Sequence, residues 1–183
     1  MILNDILYYA KFPAKAGVLK NFKRQDKIMP GYEELRTSVQ ALPEESLIPA
    51  IEDFIFSTNE NIIKESISNI KSYFLMFQYG IIRSPAVNRA GARDTVFSSS
   101  LIVAKPISRN ATDNVEEAIY LNQCLQYIVQ IANQMRTDNK TLFCHADRFQ
   151  ESNIDISPIE PALLYGCTGW VMTFNRNKTA LFD

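Results

Sequence analysis

The sequence predicts an α+β fold: a mostly antiparallel sheet, made of a long-looped hairpin and a C-terminal strand, with a long helix packed on one face. Three observations carry this. Residues 73–82 (YFLMFQYGII) form a continuous apolar and aromatic run, the mark of a strand buried on both faces. Residues 118–135 (AIYLNQCLQYIVQIANQM) hold eighteen positions without a charge and a helical apolar spacing. Residues 169–176 (GWVMTFNR) alternate Trp170, Met172 and Phe174 with Val171, Thr173 and Asn175, as a half-buried strand does. Strands and helices in this order favour an α+β layer over alternating βαβ units.

Taken in order, residues 1–12 spell a short helix with Leu3, Ile6, Leu7 and Ala10 on one side, ended by Pro13. A helix that short is marginal alone and needs a surface to dock on. Lys11, Lys15, Lys20, Lys23, Arg24 and Lys27 then stand against one acid, Asp26, so residues 1–30 read as a basic N-terminal arm outside a single domain spanning 31–183. Glu33–Leu42 is helical in pattern, and Asp53–Ser57 is a short strand or a helix tail. Ser57 and Glu60 make a capping-box pair ahead of Ile63, Ile67 and Ile70 at helical spacing. The polar loop Arg83–Asp94 joins the apolar strand to a second one, Thr95–Lys105, with Phe97, Leu101 and Val103 on one face.

The long helix covers Asn114–Arg136. Ala118, Leu121, Leu125, Ile128, Ala132 and Met135 recur at three- and four-residue steps and define its core face. Asp113 and Glu116 suit an N-cap and its partner carboxylate. The opposite face carries Asn122, Gln126, Gln130, Asn133 and Gln134 where a free surface helix usually shows Lys and Glu. Amides in place of charges predict protein on both sides of the helix, and they argue against a membrane span, where each would need an internal partner. Leu142–Cys144 and Ile154–Ile156 are possible short strands. Leu121, Leu125, Ile128 and Trp170 are the expected structural core.

Composition is ordinary for one globular domain: 183 residues, 46% hydrophobic, 21% charged, net charge −1. The opening segment has no basic residue before its apolar stretch, and Asp5 interrupts that stretch, so no signal peptide is expected. Three widely spaced cysteines fit neither a disulfide framework nor a zinc site. Six glycines leave no phosphate-binding loop, and no cofactor is expected. The one histidine, His145, follows Cys144; strand neighbours point to opposite faces, so the two cannot form a thiolate–imidazole couple by themselves. Adjacent carboxylates such as Glu116-Glu117 fall at helix starts, where the helix dipole alone explains them. The basic arm has thin aromatic interleaving for nucleic acid, with Phe12 and Phe22 only. Arg83, Arg89 and Arg93 place positive charge on the hairpin tip, as a contact to a neighbouring subunit or to DNA.

Residues 70–176 resemble neck and tail-completion proteins of tailed bacteriophages, those of Bacteroidetes phages and the crAss-like group included. The pieces that carry the resemblance are Asp113-Asn114 leading into the amide-rich Ile119–Met135, then a variable segment, then the closing Gly169-Trp170 strand. The N-terminal half lies outside it. The resemblance implies a non-enzymatic virion protein assembled in the bacterial cytoplasm, a homo-oligomeric ring next to portal, neck or tail proteins, through which DNA passes. Asn122, Gln126, Gln130 and Asn133 would then face a neighbouring subunit, and residues 1–27 would clip an adjacent protein, so that their deletion leaves a folded core. The alternatives are a nucleic-acid module using the basic arm, or an enzyme working through Cys144 or His145.

Overall fold

A computed structural model of the chain describes residues 2–23, 29, 31–83, 95–107, 114–141, 153–161 and 163–178. Ten elements follow one another: α1 (Ile2–Tyr9), α2 (Lys15–Leu19), α3 (Tyr32–Gln40), β1 (Ile51–Phe56), α4 (Glu60–Ser68), β2 (Tyr73–Arg83), β3 (Thr95–Pro106), α5 (Asn114–Thr141), β4 (Asp155–Ile159) and β5 (Cys167–Lys178). The strands form one five-stranded sheet in the order β1-β2-β3-β5-β4. The fold is α+β, as the hydrophobic patterns predict. Only β1 and β2 run parallel, joined through α4; the other three pairings are antiparallel.

The apolar runs explain the centre of the sheet. Leu101-Ile102-Val103-Ala104 of β3 is buried on both faces between β2 and β5, which is why it reads as an unbroken run. On one face Leu75, Phe77, Leu101, Val103, Met172 and Phe174 meet α1, α3 and α5. On the other, Phe74, Met76, Ile102 and Ala104 meet Ile63 and Ile67 of α4. Helices therefore cover both faces, not one, although the long helix lies on the expected side. Asn59, rather than Ser57, caps α4: its side chain accepts from the amides of Asn61 and Ile62. Ser57 supports the cap by accepting from the Asn59 amide.

Residues 2–22 are not an arm outside the core. Ile6, Tyr9, Ala10, Phe12 and Val18 are buried in the main cluster against Phe77 and Phe174. The basic composition concealed an apolar stripe that completes the sheet's covering layer. Ionic contacts tie this segment to the rest. Asp5 accepts from Arg176 of β5 at 2.5 Å, with both side chains about 5% exposed. Asp138 of α5 accepts from Tyr8 at 2.7 Å, from Lys11, and from Gln134 at 2.8 Å.

Segment 14–21 also closes the outer edge of β1. The Ala14 amide donates to Ile51 O at 2.7 Å, and Asn21 Nδ2 donates to Phe54 O at 2.8 Å. Gly17 permits the approach, since a Cβ there would stand 1.9 Å from the Glu52 carbonyl oxygen. The opposite edge, β4, is five residues long and carries Pro158, which lacks the N–H that an added strand would need.

Helix α5 runs five residues past its expected end at Arg136. Asp138 and Asn139 look like a terminator in sequence, but both are buried, and Asp138 is held by the partners named above. Its core face is Cys124, Ile128, Ile131, Ala132 and Met135. That face is rotated from the expected one: Ala118 is exposed, and Leu121 and Leu125 are half-buried.

Candidate interaction surface

The outer face of α5 is an extended uncharged surface. Helical geometry aligns Val115, Ile119, Asn122, Gln126, Val129 and Asn133 in one stripe at alternating four- and three-residue steps. All six are exposed, with Val115 at 67% and Ile119 at 58%. At 1.5 Å per residue the stripe is about 27 Å long. Its far end turns basic at Arg136 and Lys140, and the first turn of the helix holds Glu116 and Glu117. Of the expected interface set, Asn122, Gln126 and Asn133 lie in this stripe, and Gln130 flanks it with its amide 3.4 Å from Leu47 O. The expectation missed the three apolar members, Val115, Ile119 and Val129. Their recurrence at the same steps as the amides was the signal that could have found them.

The expected core residues divide. Ile128 is fully buried, whereas Leu121, Leu125 and Trp170 are half-buried. Trp170 rests on α5 and donates its indole N–H to Leu121 O at 2.9 Å, so it fastens helix to sheet at the rim of the core.

The basic residues of the N-terminal segment do not gather into one patch. Lys11 pairs with Asp138 and lies over the Tyr8 ring. Lys15 donates to Leu42 O at 2.9 Å and Glu44 at 2.7 Å. Lys20 pairs with Asp53 at 2.6 Å. Lys23 is exposed, and Arg24 and Lys27 fall outside the described residues. A surface for phosphates would need several of these cations free, and three are matched by carboxylates of the fold. The Arg83 backbone ends β2; its side chain, with Arg89 and Arg93, lies outside the described residues.

For catalysis the described residues offer little. Burial pushes both the Cys124 and the Cys167 thiol up to about 12, so neither is a thiolate near neutral pH. Cys144 and His145 are outside the described residues. Among the described residues no three His, Cys, Asp or Glu side chains converge as a metal site. A concavity of 580 Å³ on the sheet is lined by Ser98, Ser100, Thr173 and Asn175, with Asp155 the one ionisable group among its described lining residues, too little for paired acid–base chemistry among them.

Sequence reasoning gave no role to Tyr8 or Arg176, read Asp138 only as part of a helix terminator, and used Asp5 only as a break in an apolar stretch. Burial of Asp138 opposes its ionisation, yet hydrogen bonds from Lys11, Tyr8 and Gln134 outweigh that and hold its carboxyl below the usual range. These groups are structural ties between α1, α5 and β5, distant in sequence. No helix among the described residues is long and apolar enough to cross a membrane. No family model matches the chain, and no curated protein matches it.

Proposed function

We propose that the chain is a non-enzymatic assembly protein: a subunit of a ring in the neck or tail of a tailed bacteriophage, acting as head–tail connector, tail terminator or adaptor around the passage for DNA. The observation that carries the assembly reading is the exposed, uncharged stripe of α5. A solitary surface helix ordinarily carries charge there, and apolar side chains repeating along an exposed face mark a place where protein docks. The phage assignment rests on the resemblance of residues 70–176. Both sheet edges are closed, β1 by segment 14–21 and β4 by Pro158, so a neighbour gains more from the helix face than from strand addition.

The function is mechanical under this reading. Each subunit offers modest contacts, and closure of a symmetric assembly multiplies them. Quantitative peptide mass spectrometry on density-banded particles tests it. Recovery of this chain at a fixed ratio to the portal protein is the expected result, and absence from intact particles overturns the virion reading. The nucleic-acid alternative is weakened at Lys11, Lys15 and Lys20, which pair with Asp138, Glu44 and Asp53.

A further inference from the structure

We infer that the occupant of the α5 outer face is the α5 of a second copy of this chain, packed antiparallel about a two-fold axis. The inference deepens the assembly reading above, since it takes the same face as the contact. The four-three spacing of Val115, Ile119, Asn122, Gln126, Val129 and Asn133 is the spacing of a two-helix seam.

The charges along the helix then select the direction. When the helices run antiparallel about a point between Asn122 and Gln126, Ile119 of each copy meets Val129 of the other. In the same register Asn122 meets the other copy's Gln126. Apolar thus faces apolar and amide faces amide, with both donor and acceptor available, in the four central layers, while Val115 meets Asn133 at each end. A parallel pair stacks like on like at all six positions, but it sets Arg136 and Lys140, which continue the stripe at the same three- and four-residue steps, beside their own copies. The antiparallel pair instead separates those cations, brings Arg136 of one copy within about one turn of Glu116 of the other, and opposes the two helix dipoles favourably. Charge therefore selects the antiparallel arrangement. With two apolar layers in an amide-rich seam, the pair is weak and responds to concentration. It is isologous, so it forms a two-subunit building block and leaves closure of a ring to other surfaces.

Sedimentation equilibrium of the full chain over about 5 to 500 µM tests the pairing by mass action. A monomer–dimer equilibrium is expected, weakened at least about tenfold by Ile119→Lys, which puts an unpaired charge in the seam. Ile119 is exposed, so this variant is expected to melt as the wild type does. A second measurement fixes direction: chains bearing Val115→Cys are mixed with chains bearing Asn133→Cys under mild oxidation. A 115–133 disulfide, identified by mass spectrometry, supports the antiparallel pair. Preferential 115–115 and 133–133 disulfides overturn it, as does a chain that stays monomeric throughout. A chain found in particles but lacking the 115–133 link overturns this inference and leaves the assembly reading standing. A 115–133 link in a chain absent from particles does the reverse.

Discussion

Asp138 is the residue on which the packing of the first helix turns. Its carboxylate gathers Tyr8 of α1, Lys11 just beyond that helix, and Gln134 from its own helix. Removing the charge leaves the half-buried ammonium of Lys11 without its counterion, so Asp138→Asn is expected to cost about 2 kcal/mol at pH 7. The pH dependence follows from the direction of the shift. A carboxyl held below its usual range in the folded state stabilises the fold above the ordinary carboxylate range and loses that contribution as pH falls through its lowered value. Urea unfolding of wild type and Asp138→Asn is therefore expected to show a gap that is widest near neutrality and narrows below about pH 4. A gap that is constant with pH would show that Asp138 acts by shape alone. Gly17→Ala drives a methyl into the Glu52 carbonyl and is expected to cost about 2–3 kcal/mol, read as a lowered midpoint in the same experiment.

Among elements, α1 and α5 hold each other in place. Deleting residues 2–23 removes Ile6, Tyr9, Phe12 and Val18 from the core together with the partners of Asp138 and Arg176. The truncated chain is expected to lose cooperative unfolding and near-ultraviolet circular dichroism, not to leave a folded remainder. A sharp transition near the wild-type midpoint would mean that the rest of the sheet supports itself. Trp170→Ala breaks the tie to Leu121 O and opens the rim between α5 and β5. Because Trp170 is half-buried, the expected cost is about 2 kcal/mol, below the 3–5 typical of a fully buried tryptophan. Calorimetry at matched concentration reads it. The long helix itself was legible from apolar period and lack of charge. Its last five residues were not, because Asp138 is held by Tyr8 and Lys11, more than a hundred positions away.

For the whole molecule, order of elements and class of fold follow from local pattern. An unbroken apolar run marks a strand buried on both sides, alternation marks one buried on one side, and a three-to-four step marks a helix. These signals lie within windows of ten to twenty residues, and they found the hairpin strands, the closing strand and α5. What lies on which face needs the third dimension. The basic character of residues 11–27 read as an arm because charge is counted along the chain. The fold places Asp138, Glu44 and Asp53 beside Lys11, Lys15 and Lys20, turning a charge run into local pairs. The sequence by itself determined that α5 has two uncharged faces. Only the tertiary structure decided how far the core face is rotated, because Cys124, Ile128 and Met135 fit against β3 and β5 while Val115, Ile119 and Val129 point away. The physical reason is that amide and apolar spacing fixes a helix's faces, while its rotation is set by the sheet it must cover.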